Sequence, residues 1–225
     1  MDSWPGTARE LIELQRTLGA ESPPLWRAPQ AVRVGACYVC FERGPAGPGK
    51  AGDEAWAAAS LGETQVAVEG IAQAPYQAGL LALREGALLE SAVRALPEAP
   101  DVVLVDATGR DHPRRAGLAL QLGAVLGLAS VGVTHRPLIA AGEWPADEPG
   151  ARSPLLLDGV VVGYWLRTRP GHRPLAVHAA WRTDPDTAVE IVLACRGETR
   201  TPQPLRQARR AARTARARAS TPAKS

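Results

Sequence analysis

The feature that most constrains the fold is a run of four apolar residues, VVLV at 102–105, which stands between two aspartates. A continuous apolar run, in place of alternation, predicts a strand buried on both faces. Amphipathic helical patterns precede it at residues 78–96 and follow it at residues 112–127. Buried strands between helices are typical of a parallel sheet covered by helices, so we predict an α/β fold.

The remaining patterns predict a mixed sheet. A meander of antiparallel strands precedes the first βα unit, and a hairpin turning at Asp158-Gly159 follows the second helix. A capped N-terminal helix ends near Gly19, and a Pro-rich connector follows it. The segments concerned are a helix at 3–20, strands at 31–41, 54–61 (strand or helix by pattern alone), 65–72, 130–134 and 173–181, a Gly/Pro turn at 45–53, the hairpin at 153–168 and a helix at 184–195.

Charge is unevenly distributed along the 225 residues, whose formal net charge is only +3. Residues 200–218 hold seven arginines and no acidic residue, which suits either a solvated basic helix or contact with a polyanion such as nucleic acid. The three cysteines lack the second ligand pair of a zinc ribbon. No apolar stretch approaches a membrane span, and no secretory pattern opens the sequence, so we expect a cytoplasmic protein without membrane contact.

The residues that could take part in catalysis or binding lie close to the apolar run in the sequence. Asp106 stands at the carboxyl end of that strand, where sites of open α/β sheets lie, and it is either a metal ligand or a loop cap. Glu85 lies in the preceding helix, where a lone glutamate usually faces water. His112 and Arg114 belong to a loop rich in donors, which could grip a phosphate or tie the loop down. Spacing alone leaves these alternatives open.

A resemblance to a known protein family suggests specific functions for these residues. The segment APYQAGLLALREGALLESAVRALPEAPDVVLVDATGRDHPRRAGLALQLGAVLGLASVGVT, residues 74–134, resembles the central part of endonuclease V, and the resemblance extends from about residue 31 to about residue 205. It implies a ribonuclease H-like mixed sheet flanked by helices. It also implies cleavage of a phosphodiester bond near a deaminated base such as hypoxanthine, in DNA or RNA, with magnesium or manganese.

The resemblance assigns roles residue by residue. Asp106 and Glu85 match metal-binding carboxylates of the family. Pro75 and Tyr76 match the wedge that parts the strands. The remaining nucleic-acid-binding positions fall in or beside the pocket for the flipped-out base, and they are Gly79, Leu81, Gly109, His112, Arg114 and Gly117.

Three catalytic positions depart from the family pattern. Tyr38 stands where the family has its principal metal-binding Asp, His135 stands in place of a Lys, and Trp181 stands in place of a His. A neutral tyrosine supplies no charge to a hard cation, and a tryptophan neither binds metal nor transfers a proton. Magnesium or manganese should therefore bind only weakly through Asp106 and Glu85, with His135 as the remaining catalytic candidate.

Three functions remain open. The first is a nucleic-acid-binding protein of this family, a pseudoenzyme with impaired or lost catalysis and a role in DNA repair at deaminated bases. The second is an active, divergent Mg/Mn-dependent endonuclease with a rebuilt site, which could use His135, His178 or Asp184. The third is a non-catalytic scaffold. We expect a monomer with an N-terminal helix and connector at 1–30, an endonuclease V-like domain at 31–205 and a basic Arg-rich tail at 206–225.

Overall fold

The computed structural model describes residues 4–42 and 49–220 of the chain. Within these ranges the chain forms five helices and eight strands. In chain order they are α1 (Ala8–Ala20), β1 (Val34–Phe41), β2 (Glu54–Leu61), β3 (Thr64–Ile71), α2 (Ala82–Arg94), β4 (Val102–Val105), α3 (Leu118–Leu126), β5 (Ala129–Thr134), β6 (Arg152–Leu157), β7 (Val160–Leu166), β8 (Leu175–Ala179), α4 (Pro185–Ala194) and α5 (Gln203–Ala219).

The strands form one sheet in the order β3-β2-β1-β4-β5-β8-β7-β6. The three neighbours β1, β4 and β5 are parallel, and the other adjacent pairs are antiparallel. All four residues of β4 are buried, because helices cover the sheet on both faces. The predicted mixed sheet flanked by helices is confirmed.

Local signals account for the element boundaries. A capping box between Thr7 and Glu10 satisfies the first backbone N–H groups of α1. Asp158 and Gly159 adopt φ values of 50° and 75°, which are the left-handed values that a two-residue hairpin turn requires, and they join β6 to β7 as predicted. The segment 54–61, ambiguous by pattern, is the strand β2.

The second helix of the βα units begins later than its sequence pattern suggests. We predicted a helix over residues 112–127, but α3 begins at Leu118. Arg115 has a φ of 56°, a left-handed value that an α-helix does not accommodate, so the preceding residues form a loop. The Gly/Pro turn predicted at 45–53 lies partly outside the described residues.

The arginine-rich segment forms a long helix that packs against the sheet. Leu205, Ala208 and Ala212 of α5 are fully buried. They pack against the face of the sheet that α4 also covers, while α1, α2 and α3 cover the opposite face. The predicted boundary between residues 205 and 206 falls within α5, and residues 221–225 lie outside the described part. None of the described helices has the length and hydrophobicity that a membrane crossing requires.

Candidate functional site

Neighbouring parallel strands place Tyr38 and Asp106 side by side. Cys37 of β1 pairs with Val105 of β4 in parallel register, so Tyr38, inside β1, lies beside Asp106, which directly follows β4. Glu85 is contributed by α2. Tyr38, Glu85 and Asp106 line one cavity of about 390 Å³.

An arginine of α5 contacts the central carboxylate. The Nη2 group of Arg209 donates to Oδ2 of Asp106 at 2.9 Å. The guanidinium carbons of Arg209 and Arg213 also lie 5.5 and 5.9 Å from the centre of the Tyr38 ring, within cation–π distance. Arg216, which donates to the carbonyl oxygen of Phe41, lines the same cavity. The cleft around Asp106 is therefore rich in positive charge.

Glu85 has an unusual protonation equilibrium. Burial removes its carboxylate from water, and this effect, with a smaller contribution from the charge of Asp106, raises the pKa of Glu85 to about 8. Burial also raises the pKa of the neighbouring Cys37 thiol. Without a bound cation, this carboxyl group is therefore harder to ionise than an ordinary glutamate.

These residues do not fit a divalent metal centre. Magnesium prefers several anionic or neutral oxygens in octahedral geometry, yet Asp106 is paired with a guanidinium and the adjacent strand supplies a phenol. The described residues contain no cluster of three or more His, Cys, Asp or Glu side chains suited to a metal ion. The arrangement instead presents hydrogen-bond donors to an anion.

His135 follows β5 and lies within electrostatic reach of Asp106. Burial lowers the pKa of His135 below its ordinary value, and the positive charges of Arg200 and Arg209 lower it further, against the opposing effect of Asp106. The imidazole is therefore harder to protonate than that of an ordinary histidine, whereas stabilising charge on a phosphate requires the imidazolium. These positive neighbours work against the role that the resemblance suggests for His135.

A second cavity, of about 190 Å³, adjoins the first. Tyr76 lines both cavities, and its side chain is 52% exposed, as a wedge requires. Pro75 is exposed beside it. Gly79 has a φ of 77°, a conformation that favours glycine, and this turn brings its backbone to the cavity wall. The other predicted pocket residues on this wall are Leu81, His112 and Gly117.

The carbonyl oxygen of Gly79, in the loop that follows Tyr76, is a shared hydrogen-bond acceptor. It receives hydrogen bonds from His112 Nε2 at 3.1 Å, Arg114 Nη2 at 3.0 Å and Gln15 Nε2 at 3.0 Å. Arg114 also donates through Nε to Oε1 of Gln15 at 2.6 Å. His112 and Arg114 thus hold the loop, and burial lowers the pKa of His112, which keeps the ring neutral.

Gln15 was missed at the sequence level. It lies on α1, 64 positions before Gly79, and the side chain is buried although its residue type is ordinarily exposed. A glutamine on the apolar stripe of α1, beside Leu11 and Leu18, is the signal that could have identified it.

Gly109 does not line either cavity, contrary to the prediction. A Cβ atom added at Gly109 would lie 2.0 Å from the carbonyl oxygen of Ala179, so this glycine permits the loop after β4 to pack against β8. Gly117 does line the smaller cavity, and a Cβ there would lie 2.3 Å from the carbonyl oxygen of Thr108.

Trp181 also lies away from this cleft, although the resemblance places it at a catalytic position. Its carbonyl oxygen accepts from the backbone N–H of Ser130, at the beginning of β5, whereas Asp106 lies beyond the opposite end of β4. The Trp181 side chain packs against the core beneath α3, near Gly123. Trp181 therefore contributes packing to the core.

The two other residues considered for a rebuilt site have structural partners. His178 is fully buried, and its Nε2 lies 2.9 Å from Thr134 Oγ1. Asp184 accepts from the backbone N–H of Thr187 and caps the N-terminus of α4. Neither side chain lines the cleft at Asp106.

A mixed sheet with a carboxylate at the end of its central parallel strand, flanked by helices on both faces, defines the ribonuclease H-like class of folds. The sequence model of the Endonuclease V family matches residues 55–210. The chain belongs to the endonuclease V family.

Individual relatives agree with this assignment. An endonuclease V of Roseiflexus sp. is 41% identical over 134 residues, which are 60% of this chain and 60% of the relative's length. The crystal structure of endonuclease V from Streptomyces avermitilis is similar with a TM-score of 0.82 and 30% identity, over 98% of both chains. A Ciona intestinalis endonuclease V, solved with a 23-mer DNA containing an inosine followed by a ribo-adenosine, has a TM-score of 0.77 at 20% identity, covering 95% of this chain and all of that one. At this identity the likeness shows the fold alone.

Proposed function

We propose that this protein binds nucleic acid at deaminated bases, in DNA or RNA, and that its phosphodiester cleavage is impaired or lost. One observation carries the proposal. The carboxylate of Asp106 is held by Arg209 at 2.9 Å and faces Tyr38, so the cleft lacks the accumulation of negative oxygens that a catalytic metal requires.

The binding half of the proposal is supported by a different group of residues. Tyr76 stands exposed at the mouth of both cavities, where an aromatic ring can stack on a base, and the 190 Å³ cavity beside it is lined by backbone and side-chain polar groups. Three side chains hold the Gly79 turn at this wall. The Ciona intestinalis protein, which has the same fold, is bound to inosine-containing DNA, the ligand class proposed here.

The basic surface of α5 supplies the electrostatic component. Five arginines of this helix line a groove of about 940 Å³ beside β3: Arg206, Arg209, Arg210, Arg213 and Arg218. Phosphate contacts by arginine produce an affinity that is largely independent of sequence and that falls as salt rises. Neither this attraction nor base stacking requires a carboxylate at the position of Tyr38.

The proposal is tested by assaying binding and cleavage on the same substrates. Fluorescein-labelled DNA and RNA oligonucleotides with one inosine, and matched ones without it, are titrated with the protein at 50 mM salt and above, and then incubated with manganese. We expect salt-sensitive binding that favours inosine, with product no greater than that of the Asp106→Asn variant.

Two outcomes would replace the proposal. Manganese-dependent nicking that disappears in Asp106→Asn would establish the divergent active endonuclease. If the protein bound none of these oligonucleotides at low salt, the non-catalytic scaffold would be the remaining candidate function. DNA repair, a cytoplasmic location and a monomeric state remain predictions.

A further inference from the structure

Arg209 combines a bond to the central carboxylate with unused donor capacity. A guanidinium carries five N–H donors, and only Nη2 of Arg209 is engaged by Asp106. Its Nε has no hydrogen-bond partner among the described residues, and 17% of the side chain is exposed, so a ligand can approach the remaining terminal donors. The side chain can therefore bind a second acceptor as well as Asp106.

The surroundings of Arg209 favour an anion as that acceptor. The guanidinium carbon of Arg213 lies 5.9 Å from the centre of the Tyr38 ring, and Arg216 lines the cavity that Asp106 and Tyr38 share. Three arginines from one helix therefore lie close to Tyr38 and Asp106. This concentration of positive charge attracts a phosphate and repels a divalent cation.

We propose that Arg209 is a built-in cation that replaces the metal ion of this site, binding Asp106 on one side and a backbone phosphate of the nucleic acid on the other. Phosphate binding in the cleft is then independent of divalent metal. The phosphate half of this inference rests on the proposed function, whereas the replacement of the metal by Arg209 does not.

The guanidinium is well suited to both contacts. Its planar fork presents parallel donors to carboxylate and phosphate oxygens, and its charge is retained at any physiological pH. The aromatic ring of Tyr38, at 5.5 Å from the guanidinium carbon, supports it from one side. An aspartate at the position of Tyr38 would instead draw Arg209 into a second ion pair.

The first experiment measures how the affinity for an inosine-containing duplex depends on metal. The wild type, Arg209→Ala and Arg9→Ala are compared by fluorescence anisotropy in EDTA and in 2 mM manganese. Arg9 is the control, because its side chain is 89% exposed on α1, outside the arginine-lined groove of α5, and it lacks a bond to Asp106. Wild type and Arg9→Ala should bind equally well, within about twofold, in both buffers. Arg209→Ala should lose about tenfold in EDTA and recover part of that loss with manganese.

The second experiment measures metal binding without nucleic acid. Calorimetric titration with manganese should show no binding to wild type or Arg9→Ala. It should show weak binding to Arg209→Ala, and the added Asp106→Asn substitution should remove that binding in the double variant. Arg209→Gln, which keeps a neutral donor near Asp106, serves as the second variant if the alanine protein does not fold by circular dichroism.

The two experiments test the role of Arg209 separately from the proposed nucleic-acid binding. Wild-type protein that binds manganese through Asp106, or an Arg209→Ala protein that behaves like Arg9→Ala in both experiments, would overturn the role of Arg209. Wild-type protein that binds no nucleic acid in either buffer would refute the proposed function and with it the phosphate contact. In that case the manganese titration still decides whether Arg209 replaces the metal.

Discussion

Tyr38 and Asp106 lie next to each other on two neighbouring parallel strands, one position beyond the paired residues Cys37 and Val105, with Tyr38 inside β1 and Asp106 directly after β4. The carboxylate therefore has a phenol as its neighbour where a second carboxylate would create a cation site. Arg209 occupies the space above both residues. This relationship explains in physical terms why the cleft favours an anion.

Restoring a carboxylate at position 38 should not by itself restore metal binding. In Tyr38→Asp, the new side chain would lie within reach of Arg209 and Arg213 and would pair with them, because opposite charges attract strongly in a partly buried cleft. The double variant Tyr38→Asp/Arg209→Ala should bind manganese, as measured by calorimetry. Binding by Tyr38→Asp alone, as strong as that of the double variant, would contradict this expectation and show that Arg209 moves aside easily.

Removing the wedge ring should weaken nucleic-acid binding. Tyr76→Ala should cost about 1–3 kcal/mol of binding free energy, or about 5- to 150-fold in Kd, since the ring can stack on an exposed base. Anisotropy titrations with inosine-containing single strands measure the loss. The control is Trp144→Ala, because Trp144 is a similarly exposed aromatic (53%, against 52% for Tyr76) that packs against Trp165 away from the cleft. Equal losses in both variants would argue against a wedge.

Shortening the buried side chain of Leu205, through which α5 packs on the core, should destabilise the whole domain. Leu205 is fully buried, and Leu205→Ala should lower the free energy of unfolding by about 2–5 kcal/mol, through lost burial and the cavity left behind. Leu25→Ala, at a leucine that is 55% exposed, should change it by less than about 0.5 kcal/mol. Urea denaturation followed by circular dichroism compares the two. A negligible effect at Leu205 would mean that α5 is peripheral to the fold.

Stability should fall at mildly acidic pH because of His178. Complete burial holds the pKa of His178 well below its ordinary value, and the nearby Asp111 opposes this effect only in part. In the unfolded chain His178 protonates below about pH 6.5, while in the folded protein it stays neutral. The unfolded state then binds more protons, so the free energy of unfolding decreases as pH falls below about 6.5, by up to about 1.4 kcal/mol per pH unit from this one group.

Denaturation at pH 7 and pH 5.5 measures this dependence. His178→Asn should show a smaller loss of stability between the two pH values than the wild type. His172→Asn, at an exposed histidine, should retain the wild-type loss. If His178→Asn also retained it, the pH dependence would come from other groups, such as the buried His112.

Local patterns in the sequence were sufficient for most of the architecture. The apolar run of β4, the capping box at Thr7 and the Asp158-Gly159 turn each specify their structure through neighbouring residues alone. The helix predicted from residue 112 began instead at Leu118, because a left-handed backbone at Arg115 is set by the loop's packing. Hydrophobic periodicity carries no information about that conformation.

The residues of the site could be predicted only in part from the sequence. Its amino-acid pattern and family resemblance identified Tyr38, Glu85 and Asp106, and the β1–β4 register brought them together. The resemblance also suggested Gly109 and Trp181, but both serve packing. A position matched by alignment does not reveal whether its side chain points to a cleft or to the core.

The sequence by itself determined the order of helices and strands, the family and the presence of a tyrosine at position 38. Only the tertiary structure decided what occupies the cleft, because Arg209 is separated from Asp106 by 103 positions and Gln15 from Arg114 by 99. Such contacts depend on how α5 and α1 dock on the sheet, and the burial of apolar residues such as Leu205 and Leu11 fixes that docking. Which polar side chains then become partners depends on how each helix is rotated about its own axis against the core. No local sequence pattern specifies that rotation.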